Sequence, residues 1–321
     1  MMLNSTKTMM LLLTLLSTMM TYSSTSFLMS WMSMEINLIA FLPLASKSKK
    51  MKDQLMKYFI IQNLSSSMML MSMILNFKIE APINFEKLLL ISLMMKMGLI
   101  PFHLWIFSFM EKLTWMNCFL MNTIQKLSPT LIMPQMINFK EIIFPMSMSL
   151  MIAPTIMMKL NSMKKILTCS SIYNSQWMIS SIYLSKNMFI MFSLIYSLLN
   201  FSLMKKLKSQ NMMFLNQINE KTTMTKLNLL INLISMSGMP PTLGFFPKWM
   251  ILIKMNEISI LISLMMLISS IISTFIYLKM NSSMMLNQTM KKKFFKMKKI
   301  MEIELIMNTT GMFSFIMFKP N

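Results

Sequence analysis

The sequence predicts an all-α polytopic membrane protein with eleven spans, and three observations carry that prediction. Of 321 residues, 55% are hydrophobic and only 13% charged, where a soluble domain carries about 25% charged residues. Apolar runs about twenty residues long recur from end to end, the length a helix needs to cross a bilayer. No run alternates in the period of two that a membrane β-barrel requires, and the chain has only 4 glycines.

The runs place the spans at Lys7–Tyr22, Ser26–Ala45, Leu55–Phe77, Lys87–Phe107, Trp115–Phe139, Ile142–Met158, Ile166–Leu184, Met188–Leu207, Leu227–Trp249, Ile258–Leu278 and Ile300–Phe318. Together they read as one transmembrane domain, residues 1–321. Its core spans about residues 26–280, and a C-terminal helix lies at about 300–318. The first run is read as a span rather than a cleaved signal, and no Arg/Ser-rich amphipathic leader is visible. That fits synthesis inside an organelle.

Net charge is +21, and all of the 31 basic residues are lysine. A nucleic-acid partner is excluded as the explanation, because such binders use Arg for bidentate contacts on aromatic-laced basic faces. The lysines sit instead in short loops. With eleven spans, twenty-two fall on the side of the N-terminus, six on the other side and three inside spans. This asymmetry puts the N-terminus in the matrix or cytoplasm. The run KKKFFKMKK at 291–299 attracts anionic lipid head groups or serves only as an orientation signal on a solvated loop.

Cys118 and Cys169 are far apart and outside any CxxC pair. With 1 histidine, they cannot complete a four-ligand zinc or iron–sulfur site. No metal or cofactor site is therefore expected in this chain. The 51 methionines are spread over every span without clustering around polar ligands. They read as replacements for Leu and Ile, as a code that reads AUA as Met would produce in an A+T-rich genome, rather than as a metal-transport feature.

Four ionisable residues interrupt the apolar background: Glu35, Lys96, Lys126 and Lys248. An ammonium near the bilayer centre costs roughly 2.5–3.5 kcal/mol on insertion scales, so such residues mark function by default. Lys96 lies in LLLISLMMKMGLIPFHLWIF, where Gly98 and Pro101 weaken the helix beside it. Pro101 has no N–H and its ring opposes the carbonyl of Met97. Lys248 lies in SGMPPTLGFFPKWMIL, where glycines and prolines again break an apolar run. Broken helices beside buried charges are the arrangement transporters use at mid-membrane ion sites. Each residue also has a structural reading: Glu35 pairing with any lysine, Lys126 snorkelling, Lys248 reaching the interface. Four together, two at broken helices, favour proton handling. His103, the sole histidine, is either a relay or an interior hydrogen-bonded residue. No nucleophile–base–orienter set is present, so no conventional catalysis is expected.

The motifs MEINLIAFLPL, KYFIIQ, MKMGLIPFHLW, QKLSP, KKILTCSSI and GMPPTLGFFPKW occur in this order between Trp31 and Trp249. In sequence and spacing they resemble the chain 2 family of NADH–ubiquinone oxidoreductase, the antiporter-like membrane subunits of mitochondrial respiratory complex I. The resemblance implies an antiporter-like fold with two broken helices, an eleven-helix version of a longer bacterial one. It implies that Glu35 and Lys96 form a glutamate–lysine pair, that Lys126 is the central axis site, and that Lys248 is the distal lysine. It implies a part in the proton-translocating NADH:ubiquinone reductase of the mitochondrial inner membrane. The partners would then be other membrane-arm subunits and the lipid bilayer. NADH, FMN, iron–sulfur clusters and ubiquinone would be bound by other subunits. One departure stands out: Asn174 occupies a position where the family often has histidine. Asn orients water but does not titrate near neutral pH. A free-standing cation/proton antiporter would use the same broken helices and lysines, and a purely structural membrane subunit would use the charges only for assembly.

Overall fold

The computed structural model describes residues 5–46, 51–77, 85–214, 223–240 and 242–286. The span expected at Ile300–Phe318 and the lysine run at 291–299 lie outside these residues. Among the described residues the chain is built from thirteen helices. That is what lipid demands of a chain that must satisfy its backbone internally.

Seven of the expected spans are single helices: α1 (Ser5–Ser23), α2 (Phe27–Ala45), α3 (Lys52–Phe77), α8 (Phe139–Lys159), α9 (Met163–Leu184), α10 (Lys186–Gln210) and α13 (Ile260–Leu286). Three are helix pairs. The fourth span is α4 (Phe85–Met97) and α5 (Leu104–Lys112), and the ninth is α11 (Thr223–Ser237) and α12 (Phe245–Ile258). These are the two breaks read from the sequence.

The fifth span is also interrupted, more gently, between α6 (Trp115–Asn122) and α7 (Ile124–Met136). Thr123, at φ −116° and ψ −81°, separates them. Pro129 inside α7 has no proton for the carbonyl of Gln125, and its ring crowds that carbonyl. The interruption itself lies six residues before Pro129, and α7 runs on through the proline. The expected end of this span moves too, since Phe139 opens α8 rather than closing α7.

Five helices are long and apolar enough to cross a membrane: Phe27–Ala45, Lys52–Leu75, Phe139–Lys159, Lys186–Gln210 and Ile260–Ser282. The broken helices fail that criterion because each half is short. Helix α9 fails it because it is rich in Ser, Asn and Gln, yet it is buried nearly all round, from Met163 to Ser181. A helix inside a bundle need not be apolar where its neighbours satisfy it.

The chain divides into two compact units, Met1–Ser149 and Leu150–Asn321. In the first, α1 packs along α2 with its hydroxyl face inward. Thr14, Ser17, Thr18 and Thr21 are buried, while Leu12, Leu16 and Met19 are exposed. The buried hydroxyls donate to carbonyls three residues back, for example Ser17 to Thr14 at 2.8 Å. Small residues inside and large apolar residues outside is the pattern of helices packed in lipid. An aromatic cluster ties α5 to α2 and α3: the Tyr58 ring stacks on Phe109 at 4.8 Å and meets Phe41 and Trp105 at 5.8 Å. In the second unit, α9 is packed against α10 and α12, and α11 against α10 and α13.

Candidate functional site

Both broken helices end in the same way. At the first break, Gly98 adopts φ +60°. Its N–H bonds the Met95 carbonyl at 3.2 Å, and the Leu99 N–H reaches the Met94 carbonyl at 3.0 Å. At the second, Gly238 adopts φ +82°, its N–H bonds the Ser235 carbonyl at 3.2 Å, and Met239 reaches Ile234 at 3.5 Å. These are Schellman motifs, which need a left-handed residue just past the helix. A side chain is strained in that conformation, so glycine is required. Pro101 in one case and Pro240 in the other stop the helix from resuming at once. The motif satisfies only some carbonyls of the last turn, so others remain to be bonded by side chains.

In the first unit Lys96 lies in the last turn of α4, two residues before the glycine. Its ammonium donates to Glu35 Oε1 of α2 at 3.4 Å. The Lys96 side chain is 6% exposed and that of Glu35 22%. The Lys96 backbone carbonyl accepts a bond from Gln62 Nε2 of α3 at 3.2 Å. The lysine therefore borders a cavity of about 20 Å³, shared with Asn37, Tyr58, Gln62, Gln125 and Ser128 among others. A space of this size holds one water. Asn37 joins two elements there: it donates to Ser128 Oγ at 3.3 Å and accepts from Gln125 Nε2 at 2.8 Å.

In the second unit Lys248 lies in the first turn of α12 and is 6% exposed. Its ammonium reaches back to the end of α11, donating to the carbonyls of Met236 at 3.2 Å and Ser237 at 2.9 Å. These belong to the last turn that the Schellman bonds leave unsatisfied. The ammonium also stands over the ring of Tyr173 at 5.2 Å and that of Trp177 at 5.7 Å. Both distances are within cation–π range. Two glycines make this possible. A Cβ on Gly238 would lie 2.8 Å from Lys248 Cδ, and one on Gly244 would overlap the Ser235 carbonyl oxygen. Among the described residues no carboxylate contacts Lys248. A second cavity of about 20 Å³ is lined by Lys248, Asn174, Tyr196 and Ser235 among others.

The expected site residues thus fall into separate settings. Glu35 and Lys96 are brought together. Lys126 is 3% exposed in α7, but it is not part of the Lys96 cavity wall, which its neighbours Gln125 and Ser128 help to form. Lys248 does not reach the interface; it is held inside its unit. His103 stands apart, partly exposed at the start of α5. Its Nδ1 is 3.1 Å from the Pro101 carbonyl, and its ring meets Phe107 edge-on at 5.4 Å. Because a carbonyl only accepts, Nδ1 carries the proton in that contact.

Sequence reasoning passed over Asn37, Gln62, Gln125, Tyr173 and Trp177 as site residues. The available signal was the amide or aromatic spaced four residues from another polar residue within an apolar run, as in Tyr58 and Gln62, or Tyr173 and Trp177.

Comparison with known proteins follows this geometry. Residues 24–276 match the family described as NADH:quinone oxidoreductase/Mrp antiporter, TM. NADH-ubiquinone oxidoreductase chain 2 of Locusta migratoria is 33% identical over 87% of this chain and 85% of its own length. That of Anopheles gambiae is 31% identical over 93% and 92%. A chain of respiratory complex I from Thermus thermophilus superposes with a TM-score of 0.84 at 17% identity, covering 98% of this chain and 79% of that one. A chain of the Mrp complex from Dietzia sp. DQ12-45-1b gives 0.71 at 15% identity, over 87% and 60%. At those identities the solved structures speak to fold alone. An all-α antiporter-like fold with two glycine-ended breaks, a matched family covering most of the described residues and relatives above 30% identity lead to one conclusion: the chain belongs to the NADH:quinone oxidoreductase/Mrp antiporter membrane family, on its NADH-ubiquinone oxidoreductase chain 2 branch.

Proposed function

We propose that this chain is a membrane-arm subunit of proton-pumping NADH:ubiquinone oxidoreductase that moves protons through mid-membrane glutamate and lysine residues. The observation that carries the reading is the 3.4 Å contact between Lys96 and Glu35 beside a helix break, with a one-water cavity against it. Opening the pair leaves each charge without its partner, and a proton moves onto or off the site to compensate. Glu35, Lys96, Lys126 and Lys248 are the proton-carrying residues, and His103 is assigned no role. Electron transfer occurs on other subunits, which bind NADH, FMN, iron–sulfur clusters and ubiquinone. The partners are the neighbouring membrane-arm subunits in the mitochondrial inner membrane, with the N-terminus in the matrix. The lysine asymmetry and the names of the relatives support that placement.

The test is Glu35→Gln and Lys96→Met in sealed inner-membrane vesicles. The expected result is an assembled complex in which the rate of NADH-driven proton pumping falls roughly tenfold. That is a modest share of the ~100-fold or more contributed by positioned proton transfer. An unchanged pumping rate per assembled complex, with assembly reduced, would assign the charges to structure instead. Cation exchange by the chain alone would favour a free-standing antiporter.

A further inference from the structure

Helix α9 presents Tyr173 and Trp177 four residues apart, so the two side chains share a face. They are 2% and 0% exposed. Their rings meet edge to face, with centres 6.2 Å apart and planes at 76°. Lys248, from α12, brings its nitrogen to 5.2 Å from the centre of the Tyr173 ring and 5.7 Å from that of Trp177. The end of α11 bounds the same lysine. A Cβ on Gly238 would lie 3.2 Å from the nitrogen itself.

The groups seen at this nitrogen, among the described residues, are all uncharged. They are the carbonyls of Met236 and Ser237 and the two rings. Asn174 and Ser235 share its cavity and supply no anion. The two kinds of contact answer differently to a proton. A carbonyl accepts an N–H from an ammonium or from a neutral amine, since both carry one. A π face attracts a cation through the ring quadrupole and offers a neutral amine almost nothing of that kind. The attraction grows when the contact is desolvated, and both rings are buried.

Buried aromatic residues four apart on a helix are ordinarily core, and packing accounts for their burial. Packing does not account for two ring faces within cation–π range of one buried ammonium that no carboxylate contacts. We propose that Tyr173 and Trp177 are positioning residues for Lys248, an aromatic seat that holds its side chain at the end of α11 only while the lysine is charged. The neutral amine keeps its carbonyls but loses the pull of the rings, so the side chain is released when the proton leaves. The seat thereby ties where the lysine sits to whether it is loaded. The inference rests on the reading of Lys248 as a proton carrier.

The test uses the assembled complex in sealed inner-membrane vesicles carrying Trp177→Leu, Trp177→Phe or Lys248→Met. Leucine keeps an apolar filling and removes the π face, whereas phenylalanine keeps a face. The expected result is that Trp177→Leu lowers the rate of NADH-driven proton pumping roughly tenfold, the order expected for one desolvated cation–π contact, and that Trp177→Phe stays within about threefold of the unsubstituted rate. A second readout separates charge from packing: the temperature at which half of the intact complex is lost from a native gel. Trp177→Leu is expected to lower it more with Lys248 present than in the Lys248→Met background, because only a charged partner feels the ring. Equal shifts in the two backgrounds would make the rings plain core and overturn the seat. If Trp177→Leu pumps like the unsubstituted complex while Lys248→Met does not, the seat is wrong and the role of Lys248 stands. If Lys248→Met also pumps normally, the reading of Lys248 itself fails. Should Trp177→Leu not assemble, Tyr173→Leu against Tyr173→Phe decides by the same measurements, and loss of assembly in both leucine variants overturns the proposal.

Discussion

Lys96 and Lys248 are both buried ammonium groups, and their partners differ in kind. Lys96 has a carboxylate, Glu35, whereas Lys248 has two helix-end carbonyls and two aromatic faces. Removing one member of a buried ion pair leaves an uncompensated charge, at a cost of about 3–5 kcal/mol when burial is complete and less here, where Glu35 is partly exposed. Glu35→Gln alone is therefore expected to lower the thermal stability of the assembled complex more than Glu35→Gln with Lys96→Met together. Thermal inactivation of the native complex measures this, and equal loss in both variants would argue against a charged pair. Glu35, Lys96, Lys126 and Lys248 were legible as residues because ionisable groups stand out in apolar runs. Their partners were not, because a distance of 3.4 Å between residues 61 positions apart depends on how α2 and α4 pack.

At the scale of elements, the glycine–proline breaks were readable in advance, since positive φ and a missing N–H are local properties. Thr123 was not, because neither it nor its neighbours is a helix breaker, and the prolines of α7 lie six and eleven residues further on. Helix α9 was drawn as a span although its composition is polar, and what lets it be a helix there is enclosure by neighbours. The Schellman endings also yield a prediction. Gly238→Ala introduces a left-handed strain of about 1–2 kcal/mol and a Cβ 2.8 Å from Lys248 Cδ. It is expected to reduce proton yield while NADH oxidation with an artificial acceptor is retained. Proton yield equal to that of the unsubstituted complex would show that the ammonium does not need its present seat.

Among the described residues, several helices carry large apolar side chains on their exposed sides and polar side chains on their buried sides. Leu, Ile and Met line the outside of α1, α3 and α13, and Ser, Thr and Asn the inside. Such a chain is expected to remain with its membrane partners. On a native gel of mildly solubilised inner membranes, it should run only with the large band that stains for NADH dehydrogenase activity. A small inactive band carrying the chain alone would move a free-standing antiporter to the front. Fold class and ten of the eleven spans followed from composition and run length, the eleventh lying outside the described residues. The division into Met1–Ser149 and Leu150–Asn321 did not, because no polar linker marks it.

The contrast between the two lysines also has an electrical reading. A contact pair of opposite charges is a dipole, whose field fades quickly with distance. A lone ammonium is a monopole, and its potential falls only as the inverse of distance. With an effective dielectric constant of about 20, one charge is felt at about 15 Å with roughly 1 kcal/mol. A charge at Lys248 is therefore felt beyond its neighbours, whereas the Lys96–Glu35 pair, while in contact, is nearly silent at that distance.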